Sequence, residues 1–201
     1  MGIITHRSIG TAAVQTLPMV WLDIETTGYD RQSGGEICEI GVYKVDPQSL
    51  QPLAQLDLKL RVENPRKRTE DELSFNHYNG FSFAEWRDAL PPREAITQLN
   101  DFCAGVSLWG WNVSYELLWL SSYYEEYQLD WRGDYHWLCL MSAANFILRP
   151  EFASGAIPKL SLSHVGTFFG LPPEPNPHRG LTGARYEHAV YEQLRKYQDS
   201  R

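Results

Sequence analysis

Asp23 and Glu25 stand one residue apart at the end of the apolar run Met19-Val20-Trp21-Leu22. In a strand, residues i and i+2 project to the same side, so both carboxylates face one point. Hard oxygen ligands placed that way suit Mg²⁺ or Mn²⁺. Thr26-Thr27-Gly28 follows as a turn signal, and Gly28 permits a sharp bend. An Asp-x-Glu at a strand end is weak evidence alone, since many such acids simply face water. The buried apolar approach favours a ligand pair.

Several elements must position that pair. Residues 1–17 show no clear periodicity and read as an N-terminal arm, leaving residues 18–201 as one domain. Met19 to Asp23 reads as a buried strand and Ile37 to Val45 as a second, closed by Asp46-Pro47. Leu53 to Val62 alternates, with Leu56, Leu58, Leu60 and Val62 on one face. Three strands joined by short turns predict an antiparallel meander. Asn64 to Arg68, with Arg66, Lys67 and Arg68, reads as a solvated loop, a phosphate contact being the alternative. Helical spacing follows over Arg93 to Ala104, a strand over Val106 to Trp109, and a helix over Tyr115 to Tyr127. His136 to Phe146 reads as a helix or a strand–helix junction. Leu160 to Phe169 reads as a short helix ended by Gly170, and Thr182 to Tyr197 as the last helix. Strands first, then strands alternating with helices, predict an α/β fold: a mixed sheet flanked by helices.

Bulk properties narrow the class. The 201 residues suffice for one domain with a real core, and 43% hydrophobic with 21% charged residues is ordinary for a globular protein. No apolar run is long enough for a bilayer span and no signal-peptide pattern opens the chain, so neither a membrane nor a secretory role is expected. Cys38, Cys103 and Cys139 are odd in number and lack metal-ligand spacing, which suits reduced thiols in a cytoplasmic protein. A net charge of −7 argues against a general nucleic-acid coating protein. It leaves a nuclease open, because a carboxylate site is acidic until metal ions neutralise it.

Asp23-Ile24-Glu25-Thr26-Thr27-Gly28, followed by Glu36-Ile37-Cys38-Glu39-Ile40-Gly41 and Lys44-Val45-Asp46, resembles the first motif and second strand of the DEDDh 3′→5′ exonucleases. That group includes the proofreading subunit of bacterial replicative polymerases. Tyr78-Asn79-Gly80-Phe81 is similar to the family's segment near the 3′ nucleotide. Gly110-Trp111-Asn112-Val113-Ser114-Tyr115-Glu116 resembles the second motif, and Pro177-His178-Arg179-Gly180-Leu181 the start of the third. Leu160 through Pro172 is similar to the segment preceding it. The likeness runs in order over roughly residues 18 to 197. It implies an RNase H-like fold and hydrolysis assisted by two Mg²⁺ or Mn²⁺ ions about 4 Å apart. It also implies a nucleic-acid 3′ end, single-stranded, as substrate. By that resemblance Asp23 bridges both ions, Glu25 holds the ion beside the attacking water, Glu116 binds the other, and His178 is the general base. Thr26, Gly28, Asn79, Gly80, Trp111 and Asn112 are the implied substrate contacts.

Two departures weaken the likeness. Glu116 replaces the usual Asp, which adds one methylene and shifts the carboxylate by about an ångström, enough to lower a rate by about 10²-fold. Gly183 stands where the third motif has its Asp, five residues after His178, and residues 179–186 contain no acid. Glu187 lies one helical turn on and leans back toward that position; its plainer reading is a surface glutamate. Glu174 is a weaker substitute. Trp21, Trp109 and Trp119 read as core, and Trp111 as a cleft residue. Arg179 and Arg185 are available cations for phosphate. The alternative to an exonuclease is a pseudo-exonuclease that binds a 3′ end or a protein partner without turnover. The 13% aromatic content leaves room for a homodimer interface.

Overall fold

The computed structural model describes residues 14–63 and 78–201. The first thirteen residues of the arm and the Asn64 to Arg68 loop lie outside the described residues. Five strands, β1 (Met19–Thr26), β2 (Ile37–Val45), β3 (Pro52–Lys59), β4 (Ser107–Gly110) and β5 (Trp137–Cys139), form one sheet in the order β3-β2-β1-β4-β5. β1, β2 and β3 pair antiparallel, whereas β1–β4 and β4–β5 are parallel. The helices are α1 (Pro92–Phe102), α2 (Val113–Tyr127), α3 (Leu140–Ile147), α4 (Arg149–Ala153), α5 (Leu162–Phe168) and α6 (Gly180–Asp199). A mixed sheet flanked by helices is the predicted class.

The period of two in β1 builds both faces of the core. Val20, Leu22 and Ile24 pack with Ile40, Val42 and residues of α1 and α2. Met19 and Trp21 point the other way, into a second cluster with Leu140 and Ala144 of α3 and Ala184, Val190 and Leu194 of α6. Asp23 and Glu25 continue that second face beyond the apolar cluster. Sequence alternation therefore puts the carboxylates under the start of α6.

Glycine sets how closely α6 approaches. Asp23 pairs with Gly41 across the β1–β2 ladder. A Cβ on Gly41 would overlap the backbone of Gly180 and Leu181, and a Cβ on Gly180 would lie 2.5 Å from Gly41 N and 3.0 Å from Asp23 O. Only a glycine on each side allows this crossing. The N-terminal turn of α6 is thereby seated directly over the carboxylate end of β1.

Several boundaries differ from the sequence expectation. The β3 ladder stops at Lys59, and Leu60 makes an isolated parallel bridge to Leu90. α2 begins two residues early, at Val113, and α6 at Gly180 rather than Thr182. His136 to Phe146 resolves into β5 followed by α3, the strand–helix junction. α4 was not expected; Pro150 sits in its first turn, where a missing N–H is harmless. No helix among the described residues is long and apolar enough to cross a membrane.

Candidate active site

Four segments converge on a cleft of about 340 Å³ at the end of β1. β1 contributes Asp23, Glu25 and Thr26; the β4–α2 junction and first turn of α2 contribute Trp111, Asn112, Tyr115 and Glu116. The loop before α6 supplies Glu174 and His178, and α6 itself supplies Gly183 and Glu187. Leu162 and the exposed Tyr78 complete the wall. Among these lining residues five carry carboxyls and none is Lys or Arg.

That composition makes the electrostatics severe. Asp23 is pushed well above the usual carboxylate range by burial, then by Glu187, Glu25, Glu116 and Glu174. Burial raises Glu25 to about 7, although His178 and Arg179 pull it down. Burial also raises Glu116 to about 8 and lifts Glu187 well above its ordinary value, with Glu116 adding to the latter. His178 moves up because Glu174 sits 3.4 Å from its Nδ1. Groups repelling one another in this way demand protons or cations.

Hydrogen bonding points in the same direction. Glu116 Oε2 and Glu187 Oε2 are buried with no partner. Glu187 Oε1 accepts from the Trp111 backbone N–H at 2.7 Å. Glu187 is 2% exposed, which corrects its reading as a surface glutamate. The cause is the β1–α6 crossing, which turns this face of α6 inward. Gly183 is likewise not open space: a Cβ there would overlap Asp23 Oδ2 and come within 3.3 Å of Glu174 Oε1. Among the described residues, no three His, Cys, Asp or Glu side chains stand at ready-made metal-ligating positions.

Asp23, Glu25, Thr26, Trp111, Asn112, Glu116, His178 and Glu187 are all brought to the cleft wall. Asn79, Gly80 and Gly28 are not. Asn79 is buried; its Nδ2 donates to Thr26 O at 2.9 Å and its Oδ1 accepts from Phe81 N at 3.0 Å. Those bonds make it a brace between its loop and β1. Gly80 adopts a left-handed backbone (φ 64°) beside Pro177, whereas Gly28 does not need one. Thr26 Oγ1 donates to Gly28 O and accepts from the Tyr115 hydroxyl at 3.1 Å, tying β1 to α2.

The expectation of a phosphate-binding Arg179 meets a different arrangement. Its guanidinium donates to Glu39 Oε2 at 3.2 Å and Glu85 Oε1 at 2.6 Å, and lies over the Trp86 ring. Glu39 is buried and also accepts from Gly180 N, so Arg179 helps pin the start of α6. Arg185 donates to Gln55 Oε1. Sequence reasoning missed the role of Glu39 and offered Glu174 only as a weaker substitute for the absent acid, not as the partner of His178. Glu174 was visible four residues before His178, a spacing that puts it within reach. Trp21 and Trp119 are fully buried, and Trp109 packs against Trp21 at the edge of the second cluster.

Solved structures share this architecture. Exonuclease I superposes with a TM-score of 0.76 at 15% identity over 92% of this chain and 42% of that one. The fold is that of the RNase H-like exonucleases. A zinc-bound form of the Escherichia coli exonuclease I–single-stranded DNA complex gives 0.75 at 14% identity, covering 92% and 42%. A full-length 3′-exonuclease gives 0.71 at 16% identity, covering 96% and 64%. This chain therefore spans less than half the length of exonuclease I. No family model matches the sequence, and no curated protein is similar to it at a significant level.

Proposed function

We propose that this chain is a divalent-metal-dependent 3′→5′ exonuclease domain of the DEDDh type acting on single-stranded nucleic acid. The observation that carries the reading is the acidic cleft at the end of β1, with five carboxyls, a histidine at its wall and no Lys or Arg. The exonucleases that share the fold, one of them bound to single-stranded DNA and zinc, support it.

The donor set fits a hard divalent cation. Buried carboxylate oxygens without partners on Glu116 and Glu187 are what such an ion satisfies. Asp23, Glu25 and Glu116 would hold Mg²⁺ or Mn²⁺. When bound, the metal polarises the phosphodiester and lowers the pKa of water. His178 supplies the proton acceptor: with Nδ1 turned to Glu174, Nε2 is left to take the proton of the attacking water. Glu174 orients the ring and stabilises the imidazolium that forms. The aromatic rings of Tyr78, Trp111 and Tyr115 at the cleft wall suit stacking on unpaired bases of a terminal nucleotide.

A second reading has its own observation. Gly183 offers no ligand at the third-motif position, which favours a domain that binds a 3′ end without turnover. Incubating the full chain with 5′-labelled single-stranded DNA and RNA plus Mn²⁺, beside Asp23→Ala, separates the two. The exonuclease reading predicts metal-dependent shortening from the 3′ end that Asp23→Ala abolishes. Equal, absent shortening in both proteins contradicts it.

A further inference from the structure

We propose that Glu187 supplies the metal-binding oxygen that Gly183 cannot, so the third acidic position of this site lies one helical turn farther along α6. The inference rests on the proposed metal-dependent function and deepens it.

The geometry begins with the helix. Residues 183 and 187 share a face of α6, about 6 Å apart along the axis, and helical side chains lean toward the N-terminus. A glutamate at 187 therefore extends back toward the β1 carboxylates. It is 2% exposed and lines the same cleft as Asp23 and Glu116. Its Oε1 is anchored by the Trp111 amide at 2.7 Å, while Oε2 is buried without a partner. Glu116 Oε2, from α2, is buried and unpartnered in the same cleft.

A purely structural role accounts poorly for that state. Structural buried carboxylates have their oxygens satisfied or a cation beside them. Here one oxygen caps an amide and the other adds to the repulsion among Asp23, Glu116 and Glu174. A glutamine would hold the amide equally well without the charge. Retaining the charge makes sense when a cation arrives. Gly183 fits the same picture, because the space a side chain there would enter is already filled by Asp23 Oδ2 and approached by Glu174 Oε1. The carboxylates have closed over the glycine, and the next inward-facing acid on α6 is Glu187.

The test is calorimetric titration of Mn²⁺ into the full chain, comparing wild type, Asp23→Asn and Glu187→Gln. Glutamine keeps the volume and an acceptor for Trp111 N–H, so melting curves should show a folded protein. We expect Glu187→Gln to lower Mn²⁺ affinity at least about 10-fold, the scale on which losing even a supporting group weakens a metal site. Asp23→Asn should remove binding. Glu187→Gln binding Mn²⁺ as tightly as wild type, while Asp23→Asn does not bind, overturns this inference and leaves the proposed function standing. Failure of wild type to bind Mn²⁺, or Asp23→Asn binding as wild type does, brings down both. Should Glu187→Gln not fold, Glu187→Asp replaces it: weakened Mn²⁺ binding supports the ligand role and unchanged binding overturns it.

Discussion

The face of β1 beneath α6 has two halves built on one alternation and satisfied in opposite ways. In the first half Met19 and Trp21 meet Ala184, Val190 and Leu194, and Trp21 adds rings of Trp109, Tyr191 and His188. In the second, Asp23 and Glu25 meet Gly183, Glu187 and Glu174. Apolar contacts complete themselves on folding. The acidic contacts remain in debt until protons or cations enter. One strand and one helix thus hold a region optimised for stability beside one that opposes it, the usual trade at functional sites.

Substitutions should respond with opposite signs across that divide. Trp21→Ala empties the centre of the apolar half and should destabilise by about 3–5 kcal/mol in urea unfolding. Gly41→Ala drives a Cβ into the α6 backbone, which cannot yield as a side-chain tip can. It should cost about 3 kcal/mol and reduce activity as α6 lifts from Asp23. Arg179→Met removes the partner of buried Glu39; because the guanidinium is a quarter exposed, the expected loss is about 2 kcal/mol rather than the full value of a buried pair. Asp23→Asn should do the reverse, stabilising the metal-free protein by about 1 kcal/mol while removing activity. A destabilised Asp23→Asn protein would erase the proposed contrast.

A further contrast is a pH slope. Glu25 near 7 and Glu116 near 8 in the folded chain, against ordinary carboxyls once unfolded, bind protons that the unfolded chain releases. Their contribution is intact below about pH 4.5 and is lost as pH rises through 7 to 8. Metal-free melting temperature should accordingly fall between about pH 4.5 and 8 in the wild type and fall less in Glu116→Gln.

Legibility in the sequence followed the range of the interactions. Alternation and turn residues were enough for β1, β2 and most of β3, and for the shared face of Asp23 and Glu25, because those depend on neighbours in the chain. The start of α6 was hidden since glycine is a poor helix former; Gly180 is there for its close approach to Gly41. Glu187 looked like a surface residue because its amide partner, Trp111, is 76 positions away. Arg179 looked like a free cation because Glu39, on β2, is 140 positions away. Asn79 reads as a substrate contact in the sequence, and the bond of its amide to β1 at Thr26, 53 positions away, is invisible there. Each of these depends on which strand lies beside which, and local pattern does not encode that order.

The central claim is that the acidic half of the β1–α6 face is a cation site. Melting the full chain at pH 8 with and without Mn²⁺ tests it most directly. At about 100 times its dissociation constant, Mn²⁺ should add about 2.7 kcal/mol, a rise of roughly 5–10 °C for a chain of this size. Asp23→Asn should show no rise. A wild-type melting temperature that Mn²⁺ leaves unchanged, or an equal rise in Asp23→Asn, would contradict the account.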